Sequence, residues 1–315
     1  MNSLGIVFPG QGSQTVGMLA DVAKVFPEVE KTYAEASDVL GYDLWQLVQQ
    51  GPAEALDQTV HTQPAILAAS YAIWRILQTK KNIRPALLAG HSLGEYTALT
   101  CAGALRFTDA IKLVAARGQY MQDAVPAGEG ALAAIIGLDD KKVSELCIQS
   151  VMANEVLTPA NFNSPGQVVV AGHKIAVERM IILAKVAGAR MAKLLPVSVS
   201  SHCALMKSAA EQLQTLLATV SIQTPTIPVL NNVDVAYYQN ADAIRDGLVR
   251  QLCMPVRWVE TIQKFASEGI ENIIECGPGK ILTGLNKRIV AEIHLTPTAD
   301  LVSLQSLLDL TLKTG

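Results

Sequence analysis

The sequence has little charge, few cysteines and no long hydrophobic run, and each of these shortages excludes a class of protein. Only 17% of the 315 residues are charged, and a net charge of −3 gives no basic surface for nucleic acid. The five cysteines are scattered without a CxxC pair, so we expect reduced thiols and neither disulfides nor a metal site. No apolar run could span a bilayer and no basic export signal is apparent, so we expect a cytoplasmic protein without membrane contact.

Half of the residues are hydrophobic, which is enough for a large core and for an inserted second domain. Strand-like and helix-like stretches alternate along most of the chain, which predicts an α/β fold. The first predicted strand is Leu4 to Phe8, and Pro64 predicts the start of a long buried helix over Ala65 to Leu77. The tail beyond about Ala291 carries no motif.

The most informative stretch is the G-x-S-x-G motif from Gly90 to Gly94. A short apolar strand precedes it and a helix-favouring segment follows from Glu95 to Ala102, which is the strand, turn and helix of a nucleophile elbow. The two glycines would let strand and helix approach closely, while the turn exposes the hydroxyl of Ser92. The alternative is a glycine-rich turn with an incidental serine.

A second turn, Pro9 to Gln14, follows the first predicted strand. Its glycines do not complete the G-x-G-x-x-G spacing of a dinucleotide site, so we interpret Gln11 as a hydrogen-bond donor near the elbow. An ordinary tight turn is the alternative.

Arg117 falls on the apolar face of a predicted helix that ends near Asp123. Its neighbours three and four residues away include Leu113, Val114 and Met121, and a cation among them needs an anion or a strong acceptor. Two interpretations stay open on this pattern. Arg117 either reaches solvent or an internal carboxylate, or it waits for a carboxylate on a substrate.

The middle of the chain, residues 125–198, reads as strand, helix, two strands, helix and strand. That βαββαβ order predicts a ferredoxin-like subdomain inserted into the larger domain, with its last strand over Met191 to Val197. His202 follows directly where the chain returns to the larger domain, at the expected edge of a cleft. Among the five histidines it is therefore the best partner for Ser92.

Several of these motifs occur together, in one order, in a known family. They are PGQGSQ at 9–14, GHSLGE at 90–95, AARG at 115–118, NFNSPGQVVVAG at 161–172, SHCALM at 201–206 and ECGPGKIL at 275–282. In this combination the sequence resembles the bacterial malonyl-CoA:acyl carrier protein transacylases from about residue 4 to about residue 290. The resemblance implies an α/β-hydrolase-like core, residues 1–124 and 199–315, around the ferredoxin-like insertion.

The resemblance also implies a role for each matching residue. Ser92 would be acylated and His202 would be its general base, oriented by the backbone carbonyl of Gln251. Backbone N–H groups of Gln11 and Leu93 would form the oxyanion hole. The remaining role, binding of the malonyl carboxylate, would belong to Arg117, which favours the second of its two interpretations.

The function expected from this family is ping-pong transfer of a malonyl group from malonyl-CoA to the phosphopantetheine thiol of acyl carrier protein. No bound cofactor is implied, and the family favours a monomer. Acyl carrier proteins are acidic, so the bases of the insertion (Lys185, Arg190 and Lys193) are candidates for steering one. A serine esterase or thioesterase, and a non-catalytic carrier-binding module, remain as alternative functions.

Overall fold

The computed structural model describes residues 4–196 and 199–309. In chain order its strands are β1 Leu4–Phe8, β2 Leu87–Gly90, β3 Gly130–Ile136, β4 Leu157–Ser164, β5 Gln167–His173, β6 Met191–Leu194, β7 Val229–Leu230, β8 Asn272–Glu275 and β9 His294–Pro297. The helices are α1 Ala20–Ala23, α2 Glu28–Leu40, α3 Leu44–Gln50, α4 Ala53–Leu56, α5 Thr59–Lys81, α6 Gly94–Cys101, α7 Phe107–Asp123, α8 Asp140–Ser150, α9 Lys174–Val186, α10 Lys207–Leu217, α11 Ala241–Gln251, α12 Trp258–Ser267, α13 Ile281–Ile289 and α14 Leu301–Asp309. Within these ranges, no helix is both long and apolar enough to cross a membrane.

The larger sheet is parallel, with strand order β7-β2-β1-β8-β9. Its two central strands are short and almost wholly apolar, as expected for strands covered on both faces. The carboxyl ends of parallel strands meet at one edge of a sheet, so the turns after β1, β2 and β7 lie side by side. The predicted α/β class is confirmed, and this edge of the parallel sheet is where the site is built.

The long helix α5 packs against α2, α6 and α7 and forms the centre of the main core. It begins at Thr59, so the predicted start at Pro64 is wrong and Pro64 lies inside the helix. Proline removes one helical hydrogen bond at this position. Burial explains why the helix continues through it, because Pro64 and the residues around it from Thr62 to Ala69 are all packed in the core.

The smaller sheet is antiparallel, with strand order β4-β5-β3-β6 and a hydrophobic core of its own against α8 and α9. The predicted order of strands and helices in this part of the chain is confirmed. Its last strand ends at Leu194, earlier than predicted, and Val197 lies outside the described residues.

The tail contains two elements where the sequence offered no motif. Strand β9 adds a parallel edge to the larger sheet beside β8, and α14 packs against β9 and α5. The backbone N–H of Leu301, at the start of α14, donates to Asp21 over 2.7 Å. The tail therefore completes the larger sheet and closes against the main core.

Candidate active site

Ser92 lies in the sharp turn between β2 and α6, with a left-handed backbone at φ 52°. A Cβ atom on Gly90 would lie 1.8 Å from the carbonyl carbon of Gly94, and one on Gly94 would lie 2.1 Å from the carbonyl oxygen of Phe8. Neither position can hold a side chain, which is the reason for glycine at both ends of the motif. The predicted nucleophile-elbow geometry is confirmed.

The strained turn is held by Asn232, which sequence reasoning missed. Its Oδ1 atom accepts the backbone N–H of Ser92 at 2.7 Å, and its Nδ2 atom donates to the carbonyl of Gly90 at 2.7 Å. Asn232 follows β7, the strand beside β2, so a polar residue after a short apolar strand was the available signal.

His202 lies against Ser92, with its Nε2 atom 2.8 Å from the serine Oγ. Its Nδ1 atom lies 2.7 Å from the carbonyl oxygen of Gln251. A carbonyl oxygen can only accept, so Nδ1 carries the hydrogen and Nε2 is left to accept from the serine hydroxyl. The structure thus brings together three residues that are far apart in the sequence.

The environment of His202 strongly favours the neutral imidazole. Burial lowers the pKa of His202 to about 3, and the positive charge of Arg117 adds to this shift. Its backbone N–H donates to Leu252 at 2.9 Å, and its φ of 63° is left-handed like that of Ser92. The imidazole is therefore fixed in place and able to accept a proton at neutral pH.

Arg117 is 1% exposed and its guanidinium faces the same pair. It donates to Gln63 Oε1 at 2.9 Å and to Gln251 Oε1 at 3.0 Å, and it lies 3.4 Å from Ser92 Oγ. Its guanidinium carbon is 5.3 Å from the ring centroid of Tyr96. Within the described part of the chain Arg117 makes no direct ion pair. Burial lowers the pKa of Arg117.

Glu95 is a fully buried carboxylate beneath the elbow and was also missed. It accepts hydrogen bonds from the hydroxyl of Tyr238, from Gln251 Nε2 at 2.9 Å and from the backbone N–H of Asn232 at 3.0 Å. Burial raises the pKa of Glu95 to about 7, although these three donors favour its ionised form. The sequence signal was the acid directly after G-x-S-x-G, which a surface helix would have explained equally well.

A cavity of about 200 Å³ opens over Ser92, His202 and Arg117. Gln11 and Leu93 also line it, and neither of their backbone N–H groups donates to another residue in the described part of the chain. Apolar side chains from the smaller sheet, from the segment directly after it and from α13 also line the cavity, namely Leu132, Val169, Leu195, Ile281, Leu282 and Leu285, and Asn161 and Asn163 of β4 add polar groups. The cavity therefore joins the polar groups around Ser92 to apolar side chains from other segments of the chain.

The remaining sequence candidates lie outside this arrangement. His91 pairs with Asn163 Oδ1 at 2.8 Å instead of with Ser92, and His61 contacts the carbonyl of Ala55 at 2.9 Å. The three bases considered for carrier steering are exposed on the smaller sheet and its helices, and make no ion pair among the described residues. Across those residues, no group of acidic, histidine and cysteine side chains could hold a metal ion.

Comparison with known proteins agrees with this geometry. The family model for the acyl transferase domain matches residues 6–305. The malonyl CoA-acyl carrier protein transacylase of Escherichia coli (strain K12) is 58% identical over 92% of this chain and 94% of its own length.

Two solved structures share the fold almost completely. The acyl carrier protein S-malonyltransferase of Vibrio cholerae has a TM-score of 0.94 at 57% identity, covering 97% of this chain and 99% of that one. A malonyl-transacylase solved in complex with its type II PKS acyl-carrier protein has a TM-score of 0.95 at 55% identity, covering 97% and 98%. The chain therefore belongs to the malonyl CoA-acyl carrier protein transacylase family of acyl transferases.

Proposed function

We propose that this acyltransferase moves a malonyl group from malonyl-CoA to the phosphopantetheine thiol of acyl carrier protein through an ester on Ser92. One observation carries the proposal. The Oγ atom of Ser92 lies 2.8 Å from a neutral imidazole nitrogen and 3.4 Å from a buried guanidinium, in the lining of one cavity. A nucleophile, its base and a fixed cation thus meet at one oxygen atom.

In the first half-reaction, His202 removes the Ser92 proton as the hydroxyl attacks the thioester carbonyl. The backbone N–H groups of Gln11 and Leu93 stabilise the oxyanion, since both line the cavity and are otherwise unused. Leu93 precedes α6, whose N-terminal end adds its favourable dipole. The proton passes from His202 to the CoA thiolate, and malonyl-Ser92 remains.

Arg117 selects the malonyl group. A planar guanidinium can hold a carboxylate through two parallel hydrogen bonds, and at this site it would replace weaker contacts to neutral amides. Its position 3.4 Å from Ser92 Oγ places the carboxylate near the ester that forms. An esterase for neutral acyl groups would have no use for a buried cation at this position.

In the second half-reaction, the carrier's phosphopantetheine thiol attacks malonyl-Ser92, and His202 again takes and returns a proton. The carrier is acidic, so Lys185, Arg190 and Lys193 are proposed to steer it toward the cleft. The complex of a related malonyl-transacylase with its acyl-carrier protein supports a carrier of this kind. The reaction needs malonyl-CoA and no further cofactor. The monomeric state expected from the family resemblance stays a prediction.

We further propose that the two sheets correspond to an α/β-hydrolase-like core, residues 1–124 and 199–315, and a ferredoxin-like subdomain, residues 125–198. The parallel sheet with an elbow supports the first assignment. The second is supported by the βαββαβ order, the antiparallel pairing and the separate core.

The test is to mix the protein with malonyl-CoA and measure its intact mass. We expect a gain of one malonyl group, no gain in Ser92→Ala, and an unchanged gain in Ser221→Ala, an exposed serine far along the chain. Adding carrier protein should then move the label to the carrier instead of to water. Release as free malonate at the same rate with and without carrier would instead make the protein a thioesterase, and labelling of Ser92→Ala would remove Ser92 from the mechanism.

A further inference from the structure

A buried cation and a buried carboxylate lie on opposite sides of one amide. The side chain of Gln251 accepts from Arg117 through its Oε1 atom at 3.0 Å and donates to Glu95 Oε2 through its Nε2 atom at 2.9 Å. Gln251 is fully buried, as is Glu95, and Arg117 is 1% exposed. No step of the proposed mechanism uses this connection.

The orientation of the amide is determined by its surroundings. Two acceptors, Glu95 Oε2 and the Ser92 carbonyl at 3.0 Å, face its nitrogen, and the guanidinium of Arg117 faces its oxygen. The opposite orientation would put a donor against the guanidinium and an acceptor against two acceptors. The carboxylate therefore holds the amide so that its negative end meets the cation.

The charge of Arg117 also needs compensation, because an isolated buried charge is very costly. Arg117 has no direct ion pair among the described residues, and its other close partners are uncharged. Three donors surround the Glu95 carboxyl, and none of its recorded contacts requires it to donate. The carboxylate is thus built into the site as an acceptor of both hydrogen bonds and charge.

We propose that Glu95 is the counter-ion of Arg117 in the empty enzyme, acting through the Gln251 amide, and that it limits how strongly the site attracts a substrate carboxylate. This role rests on the proposed function, in which Arg117 binds the malonyl group. Glu95 touches no reacting atom and is a positioning residue that sets specificity. A malonyl carboxylate competes with Glu95 for the charge of Arg117. The malonyl group is therefore bound less tightly and can still be released.

Glu95→Gln separates charge from shape. Its amide oxygen can still accept from Gln251 and Asn232, while its amide nitrogen can donate to the Tyr238 hydroxyl, which accepts as readily as it donates. The negative charge is lost, and with it the acceptor of the Tyr238 hydroxyl hydrogen, while the other two hydrogen bonds are kept. Arg117 should then attract malonyl-CoA more strongly, and acetyl-CoA, which lacks the carboxylate, should bind as before.

The experiment measures the association constants of malonyl-CoA and acetyl-CoA by calorimetry in a Ser92→Ala background, where no ester can form, and compares their malonyl-to-acetyl ratio. It is carried out at pH 8, above the Glu95 pKa of about 7, so that the carboxyl is ionised. We expect Glu95→Gln to tighten malonyl-CoA binding by about 3- to 10-fold, the size of a partly screened charge interaction across the intervening Gln251 amide. The acetyl-CoA constant should not change. A purely structural role would weaken both ligands alike, and that outcome, or an unchanged ratio of the two constants, would overturn the proposal.

The matched control is Glu275→Gln. Glu275 is likewise 1% exposed, with a pKa raised by burial, but its carboxylate bonds the start of α13 at Leu282 and Thr283. Loss of this buried charge should lower stability and leave the malonyl-to-acetyl ratio unchanged. A rise in the ratio here as well would show that any lost acid has the effect, and the assignment to Glu95 would fail.

A second variant keeps the proposal testable if Glu95→Gln does not fold. Tyr238→Phe removes one donor from the carboxylate, which weakens its ionised form, and should raise the malonyl-to-acetyl ratio in the same direction by a smaller factor. Tyr33→Phe, which removes a buried hydroxyl bonded to Ala65 in the main core, should not. A ratio that falls or stays constant in Tyr238→Phe counts against the proposal.

Arg117→Ala in the same background separates the role of Arg117 from that of Glu95. If that variant keeps the wild-type ratio, the proposed role of Arg117 is wrong. If Arg117→Ala removes the preference for malonyl-CoA over acetyl-CoA while Glu95→Gln leaves it unchanged, only the role of Glu95 is wrong.

Discussion

The Nδ1 atom of His202 donates to the backbone carbonyl of Gln251 over 2.7 Å, where a serine hydrolase triad would place a carboxylate. A carbonyl fixes the tautomer and the orientation of the ring but carries no full charge. The imidazolium that forms during catalysis is therefore stabilised only weakly, and the nearby Arg117 cation opposes it. Proton transfer through His202 should accordingly be brief, with the proton passed on to the leaving thiolate.

The first prediction concerns pH. Burial and Arg117 lower the pKa of His202 to about 3, so the neutral base is present throughout pH 5 to 8 and is lost only as the pH falls toward that pKa. Over that pH range, protonation of His202 should cause no fall in the rate of malonyl-enzyme formation. Rapid-mix measurement of CoA release checks it, with circular dichroism at each pH to confirm folding.

A rate that falls tenfold per pH unit below about 6.5, and does so also in Glu95→Gln, where the other group with a pKa near 7 is removed, would instead indicate a histidine with its ordinary pKa. His202→Ala should slow acylation by about 10²–10⁴-fold at every pH, the usual size of a lost general base. Arg117→Ala should raise the pH at which protonation of His202 slows the reaction, since it removes one of the causes of the low His202 pKa.

The second prediction is the loss of malonyl specificity in Arg117→Ala. Removing one partner of a buried charge pair costs about 3–5 kcal/mol, and each 1.4 kcal/mol is about a factor of ten. Malonyl transfer should therefore fall by roughly 10²–10³-fold, while acetyl transfer changes little. The measurement is the ratio of the two acylation rates.

Two variants make this prediction sharper. Arg117→Lys keeps a charge but loses the planar fork, so it should give an intermediate ratio. Arg106→Ala, at the exposed start of α7, should keep the wild-type ratio. An equal drop of both rates in Arg117→Ala would make Arg117 a structural residue.

The third prediction concerns Asn232. Asn232→Ala leaves the backbone N–H of Ser92 and the carbonyl of Gly90 without their partner, and each unsatisfied buried group costs about 1–3 kcal/mol. We expect lower stability to denaturant together with slower acylation, because the strained turn loses its support. Asn231→Ala is the matched control, since Asn231 bonds only the following turn at Asp234 and Ala236. It should lose stability without a comparable loss of acylation rate.

The fourth prediction contrasts two glycines. Gly90→Ala forces a Cβ to 1.8 Å from the backbone of Gly94. Ordinary overpacking costs about 1–3 kcal/mol, and this variant should lose more stability than that. Gly284→Ala lies in helix α13 with nothing within 4 Å of its Cβ, and should stabilise by about 0.5–1 kcal/mol. Urea unfolding of both variants decides it. Equal stabilities would mean that strand and helix are farther apart than described.

The sequence could predict those features that arise locally. The elbow, the apolar face of α7 that carries Arg117, and the order of elements in the smaller sheet all follow from spacing and turn chemistry within short stretches. His202 was predictable as a cleft residue because the chain changes domain there. That position also made it the best histidine partner for Ser92, 110 residues away, and the family resemblance then gave it the role of general base.

The supporting residues could not be predicted in the same way. Glu95 and Gln251 are separated by 156 residues, and each resembles an ordinary helical residue until β2, β7 and α11 are brought together. Gln63 lies in the polar first turns of α5, where nothing local marks it as a residue that meets Arg117. The continuation of α5 through Pro64 likewise depends on tertiary burial, which outweighs the local preference of proline.

The cavity joins the polar groups around Ser92 to apolar side chains that come from other segments of the chain. In the proposed function, recognition of the acid end of the acyl group and tolerance of its bulk therefore belong to separate segments of sequence. Leu132, Val169 and Leu195 lie on the smaller sheet or directly after it and line the same cavity as Ser92 and His202. Shortening these side chains should admit α-branched malonyl groups while the chemistry stays intact, so substrate range in this enzyme can diverge without a change in mechanism.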